Sequence, residues 1–324
     1  MKTHIRHILD CFFLLRIPLL VPVWTILLLG WICGSETIKI GGILTGEPAL
    51  SFDVWVVIAG FSLIVASIYV VNQIVDIEND RINHKLFLLP HGFVSVAMAW
   101  TLAGFCAAGG LAIGVFLIKS TPIKVFFLLS LLLGVLYNYH LKNKPFGGVL
   151  ANALGHGMLT FLVGWFAVNI NLPFNPHTLV SGLISGLAPT FANGAVYLAT
   201  TIPDSRGDTI TGKRTFCVVY GEKKTALASA LMCLAAFVAS FFMQYHLWVM
   251  AIPSGISLIL FLGFAVKTTR ESAFKSFKWP VYLLTGFISC IEPEYGVLIL
   301  VTYFSSKAYY KWRFNMNYPT LDSK

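Results

Sequence analysis

Two short acidic motifs in this 324-residue chain have the residue types and spacing for metal and phosphate chemistry. In the first, Asn72, Asp76 and Asp80 recur every four residues, and in the second Asp204 and Asp208 repeat that spacing. Residues four apart share one face of a helix, so the carboxylates of each motif repel one another unless a cation offsets their charge. Mg²⁺ is held by one or two carboxylates together with waters and substrate phosphates. The motifs therefore predict magnesium sites, ligated by these side chains, that act on a phosphorylated substrate.

Basic residues close to both motifs are predicted to bind the phosphate oxygens of that substrate. Arginine offers a bidentate fork, and lysine offers a compact charge. The predicted phosphate ligands are Lys85, Arg206, Lys213 and Arg214. Asp76 and Asp204 are 128 residues apart, yet one diphosphate bridging two Mg²⁺ ions requires both motifs to face one cavity. We expect the basic residues to cap that cavity.

The elements that carry the motifs are predicted to be membrane-spanning helices. The chain is 57% hydrophobic and only 11% charged, with a mean hydropathy of +0.77, which a soluble domain of this length does not show. Apolar runs of roughly 17 to 25 residues recur, and each is long enough to cross a ~30 Å hydrocarbon core. They indicate an all-α, polytopic bundle of nine or ten transmembrane helices around a central cavity. The predicted spans are 17–33, 54–72, 93–118, 123–140, 149–169, 177–200, 224–243 and 247–266, with a last apolar region at 280–309.

The last apolar region is interrupted by Glu292-Pro293-Glu294. A single helix through this region would place two carboxylates and a proline near the middle of the membrane, where charge is costly. A hairpin of two short helices that turns at this tripeptide avoids that cost. The hairpin is the favoured interpretation, and the single long helix is the alternative.

The distribution of Lys and Arg predicts how the bundle is oriented. With the N-terminus in the cytoplasm, loops 73–92, 141–148, 201–224 and 267–279 carry thirteen Lys and Arg, against three in the opposite loops. This bias places both acidic motifs on the cytoplasmic side of a multi-pass protein of the cell membrane. The formal charge of +9 forms no basic stripe and accompanies no nucleic-acid-binding motif, so nucleic acid is excluded as a partner and membrane lipid is expected instead.

At the two acidic motifs the sequence resembles the UbiA superfamily of intramembrane prenyltransferases. The first motif of that family is an Asn followed by aspartates at four-residue spacing, then a further Asn and a Gly. It is matched here by Asn72, Gln73, Asp76, Asp80, Asn83 and Gly92. The second motif is DxxxD with a downstream G-x-[RK]-[ST]. It is matched by Asp204, Asp208, Gly212, Arg214 and Thr215.

The resemblance implies a single transmembrane prenyltransferase domain over residues 1–324. It implies that both motifs bind Mg²⁺ and the diphosphate of a prenyl donor, with the four aspartates as catalytic residues. The donor ionises to an allylic cation, and an aromatic or other lipophilic acceptor attacks it, as in the biosynthesis of isoprenoid quinones, tocopherol-like compounds or related lipids. The resemblance further implies donor contacts from Tyr137, Lys142 and Asn152.

One departure from the family pattern keeps other functions open. Many members carry an Arg-Pro in the first loop, where this chain has Phe87-Leu88, so an arginine that could contact the diphosphate is missing. A non-catalytic member of the fold that binds lipid is therefore one alternative, although the four intact aspartates argue against it. A transporter is the other, but its coupling acids should lie near the bilayer midplane rather than at the ends of spans. The sequence leaves the acceptor and the donor length undefined.

Overall fold

The computed structural model describes residues 2–37, 50–82 and 88–319, and all regular structure within these ranges is helical. Lys85 and Phe87 lie outside the described residues. The helices are α1 (Lys2–Leu14), α2 (Ile17–Gly34), α3 (Phe52–Val75), α4 (Ile77–Ile82), α5 (Val96–Phe116), α6 (Thr121–Leu136), α7 (Pro145–Asn152), α8 (Thr160–Ala167), α9 (Pro176–Ser185), α10 (Leu187–Ile210), α11 (Phe216–Tyr220), α12 (Glu222–Ser240), α13 (Trp248–Lys267), α14 (Arg270–Ile291) and α15 (Pro293–Phe314). Two π-helical turns, Tyr137–Leu141 and Ala153–Leu159, extend α6 and join α7 to α8.

Eight helical segments of the described chain are long and apolar enough to cross a membrane. They are Ile5–Gly34, Phe52–Val75, Val96–Phe116, Thr121–Leu141, Pro145–Ala167, Pro176–Ile210, Glu222–Ser240 and Trp248–Lys267. The multi-pass helical class predicted from the sequence is thus confirmed, whereas the count of nine or ten is not. Helices α14 and α15 are not among these eight, and each carries several charged side chains.

The second acidic motif lies on a helix that is longer than predicted. The predicted span ended at residue 200, but α10 continues to Ile210 and includes Asp204 and Asp208. It ends at a turn in which Gly212 takes a φ of 72°, a left-handed conformation that favours glycine. The polar composition of residues 201–210 therefore marks the end of the apolar run but not the end of the helix.

The four loops predicted to share one side of the membrane each contribute a residue to one cavity. Asp76, Lys142, Lys213 and Arg270 come from these four segments, and all of them line the same cavity. The helix ends on which these residues lie are separated by complete membrane spans. Their convergence on one cavity agrees with the alternation of loops that are rich and poor in Lys and Arg along the chain.

Helices α14 and α15 turn at the predicted tripeptide, but each has 22 residues, so they are not the short helices that were predicted. The chain leaves the helical conformation at Glu292, with φ −116° and ψ 84°. Near this break, the hydroxyl of Thr25 in the middle of α2 forms hydrogen bonds with the Tyr295 hydroxyl at 2.7 Å and with the Thr285 hydroxyl of α14 at 2.9 Å. At the far end of α15, Arg313 donates two hydrogen bonds to Asp10 of α1, at 3.0 and 3.1 Å. The start of α15 thus lies beside the middle of α2, and its end lies beside α1, which precedes α2 in the chain. Helix α15 therefore runs back toward the side on which α2 begins.

Candidate active site

A cavity of about 910 Å³ opens between the helices at the end where the acidic motifs lie. Aspartate, asparagine, lysine and tyrosine side chains line one part of it. Elsewhere its lining is mainly apolar and includes Phe61, Val65, Ile68 and Leu133, with Arg16 and several hydroxyl groups among them. The cavity therefore combines a charged end with an apolar extension, which suits an amphiphilic ligand.

The first motif lies where α3 ends and α4 begins. Asp76 ends α3, but the backbone N–H of Asp80 still donates to the Asp76 carbonyl at 2.8 Å, so helical spacing continues through the motif. The Asn72 amide donates to Asp76 at 3.1 Å and to Asn138 on the π-helical turn after α6 at 2.9 Å. Glu78 points away and pairs with Arg81 at 2.6 Å, with both side chains exposed. Asn72, Asp76 and Asp80 all line the cavity, as predicted.

Two lysines contact a single carboxylate oxygen of Asp76. Nζ of Lys142 and Nζ of Lys213 each lie 2.7 Å from Oδ1. Burial raises the pKa of the Asp76 carboxyl, but the two ammonium groups outweigh it and hold the pKa below its usual value. Burial also lowers the pKa of Lys142, and its contact with Asp76 offsets only part of that shift. Asp76 is therefore ionised at neutral pH, with two cations beside it.

The second motif reaches the first through direct hydrogen bonds. Asp208 is buried, and its carboxylate accepts from the Thr215 hydroxyl at 3.3 Å and from the Asn79 amide at 3.5 Å. The Thr211 hydroxyl also donates to Asn79, at 3.1 Å. Asp204 lies one helical turn before Asp208 and lines the same cavity. Together with the contact between Lys213 and Asp76, these bonds bring both motifs to one cavity, as predicted.

A cluster of hydroxyl and amide groups also lines the cavity. The Tyr137 hydroxyl contacts the side chains of Asn152 and Tyr197. Tyr137 begins one π-helical turn, and Asn152 immediately precedes the other. Turns of this kind recur at functional sites because they change which residues face inward. The predicted donor contacts Tyr137, Lys142 and Asn152 therefore all line the cavity.

Two predicted phosphate ligands lie elsewhere. Arg206 and Arg214 are exposed and do not line the cavity. Arg206 lies two residues from Asp208 on α10, about 200° around the helix, so it faces away. Lys213 turns inward after Gly212, and the next residue, Arg214, points outward. The placement of these arginines does not support a contact with the donor, and the prediction for Lys85 lies outside the described residues.

The cavity also contains polar residues that the sequence did not single out as site residues. Four that lie at or near the acidic motifs are Asn79, Asn138, Tyr197 and Thr215. Asn79 and Thr215 belong to the motifs themselves, so their proximity to the aspartates was a usable signal. Asn138 and Tyr197 lie in apolar segments, and their inward orientation depends on the π-helical turns and on the phase of α10.

The donor set fits Mg²⁺ that is shared with a phosphorylated ligand. No group of three or more His, Cys, Asp or Glu side chains within the described ranges is placed to hold a metal ion alone. The cavity instead offers carboxylate and amide oxygens from both motifs, with ammonium groups beside them. Mg²⁺ commonly takes one or two carboxylates and completes its shell with waters and phosphate oxygens. The side chains present are therefore compatible with that ion.

These features define a class, namely a multi-pass helical membrane protein whose interior cavity joins a carboxylate-rich end to an apolar extension. The chain belongs to the UbiA prenyltransferase family, whose family model matches residues 38–291.

Curated relatives with matching sequences include a lipid phosphate synthase and a prenyltransferase. Digeranylgeranylglyceryl phosphate synthase of Methanoregula boonei is 32% identical over 212 residues, which cover 63% of this chain and 70% of that protein. The chloroplastic 2-acyl-4-prenylphloroglucinol 6-prenyltransferase of Humulus lupulus is 26% identical over 215 residues, or 64% of this chain. The match covers only 51% of the Humulus protein, so this chain spans about half its length.

Solved structures share the fold at lower sequence identity. A UbiA homologue from Archaeoglobus fulgidus, bound to GPP and Mg²⁺, superposes with a TM-score of 0.62 at 19% identity, covering 90% of this chain and 99% of that one. A structure described as digeranylgeranylglyceryl phosphate synthase superposes with a TM-score of 0.63 at 19% identity, covering 91% and 99%. These likenesses establish the helical architecture that was predicted from the sequence.

Proposed function

We propose that this protein transfers a prenyl group from a prenyl diphosphate to an aromatic or other lipophilic acceptor, and that the reaction depends on Mg²⁺. The observation that carries the proposal is the meeting of the two acidic motifs, through Lys213 with Asp76 and Asn79 with Asp208, above an apolar extension of the cavity. A diphosphate fits the charged end, and an isoprenoid tail fits the apolar one. The GPP and Mg²⁺ in the Archaeoglobus homologue support the same ligand classes.

The chain's own residues have distinct roles in this reaction. Lys142 and Lys213 lie beside Asp76 and can donate to the diphosphate oxygens as it binds. The C1–O bond of the donor breaks, and its electron pair leaves with the diphosphate. The acceptor's nucleophilic atom then bonds to C1 and releases its proton. The aspartates would hold Mg²⁺, which would supply charge stabilisation for the departing diphosphate. The Tyr137, Asn152 and Tyr197 cluster positions the junction between diphosphate and tail.

The proposal extends to the protein as a whole. We place the transferase in a single unit over residues 1–324, in the cell membrane, with both motifs toward the cytoplasm. The family match over residues 38–291 supports the first point, and the Lys/Arg bias of the loops supports the last. The acceptor belongs to isoprenoid lipid or quinone chemistry.

Mass spectrometry can test the proposed reaction directly. Purified protein is incubated with labelled prenyl diphosphates of several lengths and a membrane-lipid extract, with Mg²⁺ or with excess chelator. We expect a prenylated product that forms only with the metal. An Asp76→Asn and Asp208→Asn double variant serves as the matched control for contaminating activity. Donor binding without any product would favour a non-catalytic lipid-binding protein, and movement of an unmodified lipid across the bilayer would favour a transporter.

A further inference from the structure

His156 places an imidazole in the wall of the central cavity. It lies on the π-helical turn Ala153–Leu159, four residues after Asn152, and both side chains line the cavity. The same turn packs tightly on α10, because a Cβ added at Gly157 would collide with the backbone of Thr190. This close contact fixes the turn, and with it the direction in which the imidazole points.

The ring nitrogens of His156 are available to a ligand. Among the residues that the structure describes, none forms a hydrogen bond with them. The ring packs against that of Tyr69 on α3, with centroids 5.8 Å apart and planes 32° apart. The Tyr69 hydroxyl donates to the Leu19 carbonyl at 3.3 Å, so it is engaged elsewhere. A neutral imidazole has one acceptor nitrogen, which can take a proton from a molecule bound in the cavity.

The other polar groups of the cavity are poorly suited to take that proton. Its carboxylates, in the part of the chain that the structure describes, belong to the two acidic motifs, which we propose to hold Mg²⁺. Its lysines and arginines are already protonated at neutral pH. Its hydroxyls and its thiol are neutral groups that titrate at about pH 8.5 or above. Of the described residues that line the cavity, His156 alone is a base that the metal does not require.

His156 lies at the depth where the acceptor's proton is released. Its neighbour Tyr69 precedes Asp76 by seven residues along α3, which is about 10 Å at 1.5 Å per residue. A carboxylate oxygen and a phosphate oxygen on the same Mg²⁺ are up to roughly 4 Å apart, and the donor carbon C1 lies beyond the phosphate. The acceptor atom approaches C1 to about 3–3.5 Å. The proton that leaves this atom is therefore released near the level of Tyr69 and His156.

We propose that His156 is the catalytic base that accepts the proton released by the acceptor. This inference rests on the proposed function and assigns a residue to its last step. As the nucleophilic atom of the acceptor bonds to C1, its bond to hydrogen breaks and the electron pair of that bond stays with the acceptor. The proton passes to a ring nitrogen of His156, and the imidazolium releases it to solvent as the products leave. The Tyr69 ring lies within the ~6 Å at which an aromatic face stabilises a cation.

Two variants separate proton transfer from the chemistry of the donor. His156→Ala removes the base, and His156→Gln keeps hydrogen-bonding groups but cannot take a proton. Product formation is measured with labelled prenyl diphosphate, Mg²⁺ and a membrane-lipid extract. We expect it to fall at least about 100-fold in both variants, which is the usual contribution of a positioned base. Added imidazole should restore part of the activity of His156→Ala but none of that of His156→Gln, whose side chain fills the space.

The steps that precede proton transfer should be unchanged in both variants. Their affinity for the donor should match that of the wild type. A heavy oxygen isotope at the atom bonded to C1 should still exchange with the neighbouring phosphate oxygens, because the C1–O bond still breaks and re-forms. Prenyl alcohol, formed when water captures the cation, should become a larger share of the products. His177→Ala removes an exposed imidazole from the start of α9 and is the matched control, with wild-type product formation expected.

The possible outcomes distinguish this inference from the proposed function. Wild-type transfer by His156→Gln would overturn the inference, since hydrogen bonding would then suffice. Loss of donor affinity or of isotope exchange in either variant would also overturn it, because His156 would then support the fold or the donor. The same holds if imidazole restores nothing to His156→Ala. In all these cases Mg²⁺-dependent transfer by the wild type stands, whereas a wild type that forms no product would refute the proposed function and this inference together.

Discussion

At the scale of single residues, charge compensation around Asp76 is the central feature. Lys142 and Lys213 share one oxygen of its carboxylate, while Asn72 donates to the other. A buried carboxylate needs such partners, because burial alone would favour its neutral form. Ammonium groups also bind diphosphate oxygens. The lysines that stabilise the Asp76 carboxylate without a ligand can therefore also bind the donor.

Removing the charge of an aspartate should abolish turnover without unfolding the protein. Asp76→Asn and Asp208→Asn keep the side-chain size, but they remove the anionic oxygens that the metal and the ammonium groups need. We expect turnover to fall at least on the order of 100-fold, comparable to the loss of one group that stabilises transition-state charge. The measurement is product formation at saturating Mg²⁺ and donor.

Glu78→Gln provides the control for these aspartate variants. Glu78 lies in the same acidic motif but pairs with Arg81 at the surface, so the variant should stay close to wild-type turnover. A Glu78 variant as inactive as Asp76→Asn would contradict the assignment of the inward face of the motif.

The lowered pKa of Lys142 predicts how donor binding responds to alkaline pH. A lysine whose pKa lies below 10.5 loses its charge at a lower pH than an exposed lysine does. Donor affinity should therefore weaken as pH rises through that lowered pKa. Lys142→Arg keeps its charge throughout, so its affinity should stay flat over the same range. Titration of donor affinity against pH tests this, and parallel profiles for the two proteins would assign the effect to another group.

At the scale of helices, close packing of α2 against α8 anchors the wall of the cavity. A Cβ added at Gly164 would collide with the Leu27 carbonyl, and one at Gly30 would collide with the Phe161 carbonyl. Small residues of this kind let helix backbones approach within the membrane. Gly263 on α13 has open space where its Cβ would lie, so it does not serve this purpose.

Gly164 and Gly263 should therefore differ in how an alanine substitution changes the stability of the protein. Gly164→Ala forces a backbone shift, and we expect a loss of about 1–3 kcal/mol in stability, as for other overpacked cores. Gly263→Ala meets nothing within 4 Å and should be neutral or stabilise the helix by up to about 1 kcal/mol. Unfolding of both variants in mixed detergent with increasing denaturant measures the difference. Equal effects of the two substitutions would show that the contact between α2 and α8 is not tight.

The same scale shows what the sequence could and could not predict. The four-residue spacing of Asp76 and Asp80 was sufficient to predict that both side chains face inward, because this spacing matches the helical repeat. Arg206 was misplaced because residues 201–210 were interpreted as a loop, whereas the continuing helix turns Arg206 away from Asp208. Tyr197 and Asn138 were not identified, since their orientation depends on helix phase and on a π-helical turn, which no local residue pattern marks.

At the scale of the whole molecule, the site is assembled from segments that are distant in the chain. Asp76, Lys142 and Lys213 come from three different loops or helix ends, and their contacts join parts of the bundle that do not follow one another. The Lys/Arg bias predicted that these segments share a side, because that bias depends on composition alone. The depth of the cavity and the position of Arg16 depend on how the helices pack, so the sequence did not reveal them.

Because the ligand site joins both halves of the bundle, metal and donor together should stabilise the whole protein. A ligand that binds only the folded state adds about 2.7 kcal/mol when its concentration is 100 times its dissociation constant. Mg²⁺ alone has no group of three described acidic or histidine ligands to hold it, and the diphosphate alone would face several aspartates. We therefore expect a clear rise in the apparent unfolding temperature with Mg²⁺ and prenyl diphosphate together, and little change with either one separately.

Inorganic diphosphate with Mg²⁺ should produce part of the rise, since it fills the charged end and leaves the apolar extension empty. The Asp76→Asn and Asp208→Asn double variant should lose the effect. Equal stabilisation by the donor in excess chelator would mean that the prenyl tail alone is bound, and that the two acidic motifs do not act as one metal and diphosphate site.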